Sequence, residues 1–265
     1  MTGPVTGPRV LVCGGLDPSG GAGLLADLEA LAAAGARGWA VATAFTAQGA
    51  KGARAMEPAT PRMLVAQIDA LLDGLIAGAR ERPLSVKSGM LGSGANAAAL
   101  SARLRERPLG RVPLVVDPVL FASSGLPLLQ AGTGGAGAIP ARAALDALLA
   151  RATLSTPNWP ELEALAGRAL GSEEEAVRAA RELPSRAVLV NGGHREGEPV
   201  DLLVRGRTVV RIRGRRRPGS ARGTGCRLAS AIAAFLARGL TLEESVRRAK
   251  RIVERYLDAA ARGGR

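Results

Sequence analysis

Arg222-Gly-Thr-Gly-Cys-Arg-Leu-Ala-Ser-Ala-Ile-Ala-Ala-Phe-Leu-Ala-Arg-Gly239 joins a small, hydroxyl-bearing turn to an apolar segment with helical spacing. The turn is Gly223, Thr224 and Gly225, and the helical pattern ends at Gly239. A glycine-rich turn that enters a helix points unpaired backbone N–H groups, and the positive end of the helix dipole, at one place. The stretch therefore predicts a site for an anion such as a phosphate group.

Cys226 lies at the start of the same predicted helix. A thiol at a helix N-terminus is expected to be shifted toward the thiolate. A turn that holds a developing phosphate charge beside a proton acceptor is typical of a phosphoryl-transfer site. The alternative interpretation is an ordinary capped helix with a buried cysteine.

Outward from this stretch, short apolar runs alternate with segments of helical pattern. Strands are predicted near 9–14, 40–47, 84–87, 113–117, 153–156 and 186–190, with a hairpin over 201–212. Helices are predicted near 21–34, 61–78, 95–106, 141–150, 224–237 and 242–260. The alternation predicts an α/β fold with a mainly parallel central sheet and helices on both faces, in one domain over residues 1–265. Residues 1–8 and the low-complexity segment 132–137 are expected to be flexible.

Polar and glycine-rich residues concentrate where the predicted strands end. In open α/β sheets, ligands bind beyond the carboxyl ends of the strands. The residues at those ends are Gly14–Gly23, Gln48, Gly89–Gly92, Asp117, Asn158–Glu161, Asn191–His194 and Gly223–Cys226. We therefore expect a ligand site at this edge of the sheet.

The first of these loops, 14–23, contains Gly21-x-Gly23-x-x-Ala26, a loosened form of the dinucleotide fingerprint. The loop is too long for that motif, and no acidic residue ends the second strand. It is better suited to closing over a small ligand. Asp27 and Gln48 could face that ligand, because a carboxylate accepts from an exocyclic amine and an amide pairs with a heterocycle edge. The alternative is a solvated aspartate and a turn glutamine.

The composition narrows the choice of function. The formal net charge is +13, with an arginine cluster over 205–217, but aromatic residues make up only 2% of the chain. The cluster can attract a polyanion or a nucleotide triphosphate, yet without aromatic platforms or a known motif we expect no specific nucleic-acid site. No apolar run is long enough to span a membrane. Cys13 and Cys226 form no disulfide framework, so the expected location is the cytoplasm.

Seven motifs together carry a resemblance to a known family. They are Gly15–Asp27, Thr43–Gln48, Lys87–Gly92, Val115–Val119, Thr156–Glu161, Gly192–His194 and Gly223–Cys226. In this order the motifs resemble those of hydroxymethylpyrimidine/phosphomethylpyrimidine kinases, which belong to the ribokinase-like superfamily and serve thiamine biosynthesis. The resemblance extends over residues 9–255. It implies a three-layer α/β sandwich, a homodimer, and the use of ATP and Mg²⁺.

The resemblance also implies roles for individual residues. Those expected to contact the aminopyrimidine are Gly15, Asp27, Gln48, Met90 and Val119. The acids expected around Mg²⁺ and its waters are Asp117 and Glu161, with Asn158 beside the nucleotide phosphates. The turn of Gly223, Thr224 and Gly225 resembles the anion hole for the γ-phosphoryl group, and Cys226 stands where most of the superfamily carries a catalytic aspartate.

Several positions depart from the family pattern. Asn191 stands where the family usually has a lysine that reaches the nucleotide phosphates. Arg222 and Arg227 flank the anion hole, and we expect them to supply the missing positive charge to the nucleotide. The alternative is that both arginines face solvent or bind another part of the chain. The lone histidine, His194, is expected to be a loop hydrogen-bonding residue, and Lys87 a structural one.

The expected reaction is ATP-dependent phosphorylation of the hydroxymethyl group of 4-amino-5-hydroxymethyl-2-methylpyrimidine, and possible further phosphorylation of the monophosphate. Two alternatives stay open from the sequence. One is a kinase for pyridoxal or another vitamin-like alcohol. The other, motivated by Asn191, is a catalytically weak pyrimidine-binding or regulatory protein.

Overall fold

The computed structural model describes residues 7–49, 52–73, 84–122, 125, 127–130, 140–194, 199–215 and 221–263. The strands within these ranges are β1 (Arg9–Leu16), β2 (Arg37–Gly49), β3 (Gly52–Pro58), β4 (Ser85–Ser88), β5 (Gly92–Ser93), β6 (Leu114–Val116), β7 (Leu129–Gln130), β8 (Leu154–Ser155), β9 (Val188–Val190), β10 (Val200–Arg205) and β11 (Thr208–Arg213). The α-helices are α1 (Gly23–Ala33), α2 (Pro61–Asp73), α3 (Gly94–Arg103), α4 (Ala141–Leu149), α5 (Trp159–Ala166), α6 (Glu173–Glu182), α7 (Thr224–Ala237) and α8 (Leu242–Gly263).

Nine of these strands form one sheet in the order β11-β10-β9-β8-β6-β4-β1-β2-β3. The pairs from β9 across to β2 are parallel, whereas β3, β10 and β11 pair antiparallel at the two sides. Strands β5 and β7 form a separate short parallel pair. The prediction of a mainly parallel sheet is confirmed, and the carboxyl ends of its six parallel strands share one edge.

Each face of the sheet has its own apolar core, because side chains alternate between the faces along a strand. On one face, Leu11 and Cys13 of β1 pack with apolar residues of α2 to α6. On the other face, Val10 and Val12 pack with α1, α7 and α8. The predicted arrangement of a sheet between two helical layers is confirmed.

Five elements were missed by the sequence analysis: the strands β3, β5 and β7 and the helices α5 and α6. The residues Asn158–Glu161, which the sequence analysis placed after a strand without predicting a helix, begin α5. Asn158 is the N-cap, and a proline falls in the first turn, where the backbone N–H groups have no partner within the helix. A helix of eight residues is too short to show a clear apolar period in the sequence.

The predictions for residues 1–6 and for 132–137 fall outside the described ranges. Pro8, within the segment expected to be flexible, accepts a hydrogen bond of 2.9 Å from the backbone N–H of Arg37 at the start of β2. A single domain over residues 1–265 stays a prediction. Across the described part of the chain, no helix combines the length and the apolarity that crossing a membrane would require.

Candidate active site

The polar residues predicted at the strand ends lie at one edge of the sheet. Asp117 follows β6, Asn158 lies three residues beyond the end of β8 and Asn191 follows β9. The N-terminus of α7 reaches the same edge, since a Cβ atom at Gly225 would stand 3.8 Å and 4.0 Å from the two carboxylate oxygens of Asp117. The predicted anion turn and one predicted metal-binding acid are therefore neighbours.

The anion turn has the backbone that such a site requires. Gly223, the N-cap of α7, has a φ of 71°, in the left-handed region that favours glycine. The first α7 hydrogen bond runs from the backbone N–H of Arg227 to Gly223. The N–H groups of residues 224–226 thus have no partner within the helix, and together with the helix dipole they suit an anion.

The prediction that Cys226 is shifted toward the thiolate is wrong. Burial raises the pKa of its thiol to about 12, although the positive charge of Lys87 opposes this rise. The backbone N–H of Gly23 also donates to the sulfur without reversing the shift. Desolvation outweighs the lowering effects of Lys87 and of the Gly23 N–H, so Cys226 is a protonated thiol at neutral pH.

Asp117 and Glu161 are buried acids whose ionisation is disfavoured. Burial raises the pKa of Asp117 to about 6 against the lowering effect of Lys87. Burial also raises the pKa of Glu161 to about 8, and the charge of Asp117 adds to the rise. Two such carboxyl groups fit Mg²⁺, which often uses one or two carboxylates and takes its other ligands from water and phosphate. In the described ranges, no group of three or more His, Cys, Asp or Glu side chains could hold a metal ion.

Glu161 also takes part in capping the N-terminus of α5. Its Oε2 accepts a hydrogen bond of 2.9 Å from the backbone N–H of Asn158, and Asn158 Oδ1 accepts one of 2.8 Å from the backbone N–H of Glu161. This reciprocal capping box fixes both side chains at the site edge. The position of Asn158 beside nucleotide phosphates stays a prediction.

We expect Glu161→Gln to stabilise the protein at alkaline pH in the absence of nucleotide and divalent cations. The folded protein holds the Glu161 proton up to about pH 8, whereas the ordinary pKa is 4.5. The folded state then binds the proton more tightly, so stability is lost as pH rises from about 4.5 to about 8. Glutamine keeps the capping acceptor and removes this loss. The melting temperature should rise by several degrees at pH 8.5 and hardly at pH 5, and an equal change at both would contradict the assignment.

Asp27 is fully buried and tied to two other elements. Lys87 Nζ in β4 donates to both Asp27 carboxylate oxygens, at 2.9 Å and 3.0 Å, and Ser230 Oγ in α7 donates to Oδ1 at 2.8 Å. Burial alone would lower the pKa of Lys87, but the nearby negative charges, Asp27 first, raise it above its usual range. These contacts agree with the structural role expected for Lys87. A contact between Asp27 and a pyrimidine stays a prediction.

The residues expected around the pyrimidine ring are brought together in part. Met90 and Val119 belong to one small apolar cluster with Ala44. Gly15 lies against Met90, since a Cβ at Gly15 would overlap Met90 Cε and stand 3.3 Å from its sulfur. Gln48 lies near the end of β2, where its Oε1 accepts a hydrogen bond of 3.2 Å from Thr46 Oγ1.

Asn191 contributes an amide and no positive charge to this edge. Its Nδ2 donates to the carbonyl oxygen of Thr156 at 2.9 Å, and its buried Oδ1 has no hydrogen-bond partner among the described residues. A phosphate requires donors, so only the remaining N–H of Nδ2 could serve the nucleotide. That role stays a prediction. The side chain of His194 lies outside the described part of the structure.

The nucleotide-binding role predicted for Arg227 is not supported, because its guanidinium group is buried among partners of the chain itself. It donates to the carbonyl oxygens of Gly21, Arg222 and Gly223 and pairs with Glu29 at 2.6 Å. Arg222 in turn donates to Asp17 Oδ2 at 2.5 Å and to the carbonyl oxygen of Gly49 at 2.6 Å. The structure therefore agrees with the alternative in which both arginines bind another part of the chain.

A separate surface cavity lies away from this site. Its wall includes Leu183 and Val188 near the start of β9 and the Gly206–Arg207 turn between β10 and β11. None of the predicted site residues lines it. These lining residues lie at the amino end of β9, opposite the edge that carries Asn191.

Several residues that shape the site were not found from the sequence. They are Asp17, Glu29, Thr156, Ser230 and Tyr256. Most have no local signal, because their partners lie far away in the chain. Tyr256 is the only tyrosine in the sequence, and that rarity was the one available hint.

Solved structures define the class of protein. The pyridoxal kinase from Staphylococcus aureus in complex with AMP-PCP and pyridoxal matches with a TM-score of 0.78 and 26% identity, over 94% of this chain and 87% of that chain. Phosphomethylpyrimidine kinase from Clostridium difficile 630 matches with a TM-score of 0.75 and 31% identity, over 95% of this chain and 100% of that one. The fold is that of a ribokinase-like vitamin kinase.

The family follows from sequence comparison. The profile of a family described as phosphomethylpyrimidine kinase matches residues 17–265. The hydroxymethylpyrimidine/phosphomethylpyrimidine kinase of Rhizobium meliloti (strain 1021) is 39% identical over 94% of this chain and 90% of its own length. The thiamine biosynthesis bifunctional protein ThiED of Geobacter sulfurreducens is 38% identical over 96% of this chain, which spans 49% of that protein. The chain belongs to the phosphomethylpyrimidine kinase family and is a phosphotransferase, as the motifs predicted.

Proposed function

We propose that the protein transfers a phosphoryl group from ATP to the hydroxymethyl group of 4-amino-5-hydroxymethyl-2-methylpyrimidine, and then to the monophosphate, in thiamine biosynthesis. The observation that carries this proposal is the position of Asp117 against the N-terminus of α7 at the carboxyl edge of the sheet. The names of the relatives support the substrate. AMP-PCP and ADP in related kinase structures support ATP as the donor.

The anion turn would stabilise the group in transfer. Phosphoryl transfer to a hydroxyl depends mainly on positioning and on charge stabilisation. The backbone N–H groups of residues 224–226 are the donors that this chain offers to the γ-phosphoryl oxygens. One preorganised donor is worth roughly 3 to 4 kcal/mol, and a helix N-terminus adds about 1 kcal/mol. Cys226, protonated at neutral pH, would line the pocket and would not act as the base.

Asp117 and Glu161 would hold Mg²⁺, directly or through its waters. When bound, the ion supplies positive charge beside the phosphate groups. Thr156 Oγ1 donates to Asp117 Oδ1 at 3.2 Å, which orients this carboxylate. The capping box of α5 orients Glu161 in the same way.

The pyrimidine would lie over the apolar cluster of Met90, Val119 and Ala44, with Gly15 leaving room beside Met90. Gln48 would recognise the heterocycle edge. Its Nε2 carries the N–H groups that could donate to a ring nitrogen.

We expect Gln48→Ala to weaken pyrimidine binding about tenfold, the loss of roughly one hydrogen bond. AMP-PCP binding should be unchanged, because Gln48 lies on the β2 side of the sheet and Asn158 and Asn191 on the β8–β9 side. Calorimetric titration with each ligand measures both affinities. Equal losses for the two ligands would contradict this division of the site.

The test of the function is ADP release by the purified protein with Mg·ATP and hydroxymethylpyrimidine. Mass spectrometry of the product separates one phosphorylation from two. Release above the rate without pyrimidine is expected, and Asp117→Asn should abolish it. A folded protein that binds the pyrimidine without releasing ADP would be the regulatory protein that Asn191 suggested, and the kinase proposal would fail.

Pyridoxal is a second candidate acceptor, because a pyridoxal kinase in complex with pyridoxal matches this chain with a TM-score of 0.78. Pyridoxal also carries a hydroxymethyl group on an aromatic heterocycle. The same ADP assay with both acceptors ranks them by kcat/KM. We propose that hydroxymethylpyrimidine is preferred, and a higher value for pyridoxal would reverse the order.

We also propose a homodimer in the cytoplasm. The edge strand β3 and the exposed Phe45 of the neighbouring β2 offer apolar and hydrogen-bonding surface for a second copy. Cys13 and Cys226 are free thiols, which suits a reducing compartment. Sedimentation velocity would give the oligomeric state, and a single species of 27.0 kDa at micromolar concentration would exclude the dimer.

A further inference from the structure

We propose that Arg227 is a positioning residue that fixes the anion turn against the first glycine-rich loop, and that Asp17, Arg222 and Tyr256 complete this latch. The inference rests on the proposed kinase function only for its catalytic readout. Arg227 is 4% exposed although it lies in the first turn of α7. A cation at that end of a helix interacts unfavourably with the helix dipole, so its burial there must be offset by other contacts.

Arg227 makes such contacts with both the glycine-rich loop and the anion turn. Its Nη1 lies 3.1 Å from the carbonyl oxygen of Gly21 in the loop and 3.3 Å and 3.5 Å from those of Arg222 and Gly223 in the turn. One side of the guanidinium group thus joins both backbone segments. Its face lies 3.8 Å from the ring centroid of Tyr256 in α8.

Arg222 and Asp17 make the second connection between the same segments. Asp17 is 2% exposed, and its carboxylate accepts from the backbone N–H groups of Ser19 and Ala22 as well as from Arg222. The loop is therefore wrapped around this carboxylate. Tyr256 Oη donates to the carbonyl oxygen of Arg222 at 3.1 Å, which ties the turn to α8 as well.

The backbones meet closely where the latch holds them. A Cβ atom at Gly223 would overlap the carbonyl oxygen of Gly21 and stand 3.0 Å from the Cα of Ala22. The backbone N–H of Gly23 donates to Cys226 at the same junction. N–H groups that stabilise a transition state must be held in place before the reaction, and a displacement near 1 Å can cost about 100-fold in rate. The latch provides that rigidity.

The charge of Arg227 has a minor part in this arrangement. Its carboxylate partner, Glu29, is 63% exposed, and such pairs contribute little to stability. The site requires the planar guanidinium fork, whose N–H groups donate to several carbonyl oxygens at once. Arg227→Lys keeps the charge and loses the fork. If the latch is right, lysine does not restore the function.

The test compares Arg227→Met with Arg248→Met, the same substitution at an exposed ion pair of α8. We expect Arg227→Met to lower kcat at least about tenfold, with the KM for the pyrimidine within about threefold of wild type, since the fork acts on the turn and not on the acceptor. Arg248→Met should behave as wild type, and Arg227→Lys should resemble Arg227→Met. Full activity in Arg227→Lys would overturn the proposal.

Hydrogen exchange gives a readout that needs no activity. In Arg227→Met, backbone amides of residues 14–23 and 222–226 should exchange at least about tenfold faster, with α4 unchanged. If that variant does not fold, Tyr256→Phe, which loses only the bond to Arg222, should accelerate exchange in 222–226. Unchanged exchange in these segments, or a uniform increase along the chain, would overturn the latch. The wild-type protein could fail to release ADP while Arg227→Met still shows faster exchange only in these segments. That result would reject the proposed function and keep the latch.

Discussion

Replacing Lys87 by methionine is expected to lower the free energy of unfolding by about 3 to 5 kcal/mol, because it leaves a carboxylate buried without its cation. Lys87 is 1% exposed and Asp27 is not exposed at all. The pair joins β4 to α1, and Ser230 extends the connection to α7. Urea unfolding measures the loss.

Two further variants give this experiment its control. Arg142→Met removes an exposed i,i+4 ion pair and should cost about 0.3 to 0.5 kcal/mol. The double variant Asp27→Leu/Lys87→Met replaces both buried charges by apolar groups and should recover most of the lost stability. A Lys87→Met protein as stable as the Arg142→Met protein would show that the ammonium group contributes nothing to the fold.

Gly223→Ala is expected to lower kcat at least about 100-fold, the effect of losing a preorganised donor to the transferred group. The φ of 71° is strained for alanine, and the new methyl group would stand 2.7 Å from Arg227 Nη1 as well as overlapping the Gly21 carbonyl oxygen. The turn must therefore move away from the loop. Steady-state kinetics with Mg·ATP and hydroxymethylpyrimidine measure the result.

The matched control is Gly239→Ala at the other end of α7. Gly239 also has a positive φ, 80°, but a Cβ there would have no atom of the described residues within 4 Å. It should cost about 1 kcal/mol of stability and leave kcat unchanged. If Gly223→Ala turns over within about threefold of Gly239→Ala, the turn is not the anion hole.

The fold was predictable where hydrophobic periodicity is strong. Helix α7 has the predicted bounds, Thr224–Ala237, because its apolar pattern ends at a glycine. Strand β3 was missed because its pairing with β2 is a tertiary contact and its composition, Gly-Ala-Arg-Ala-Met-Glu-Pro, has little strand preference. Helix α6 was missed although Ser172 caps it with three glutamates in the first turn. A capping serine followed by acidic residues is a start signal that sequence alone offers for this helix.

The sequence predicted which residues lie at the site better than it predicted their protonation states and contacts. The motifs placed Asp117 near the anion turn correctly. The predicted protonation state of Cys226 was wrong, because a helix N-terminus can be recognised in the sequence whereas the burial of the thiol cannot. The nucleotide-binding role predicted for Arg227 finds no support for a related reason. Proximity in sequence to the anion turn predicted a ligand contact, but Gly21 and Tyr256 are distant in sequence, and they hold the guanidinium group.

The layer of α1, α7 and α8 has a consequence for how the protein is made. The inner side of α1 and the β1 residues Val10 and Val12 are covered largely by α7 and α8. A nascent polypeptide that ends before Thr224 therefore presents this apolar face to water. During synthesis this face stays exposed until α7 and α8 have left the ribosome, so the unfinished chain is open to chaperones.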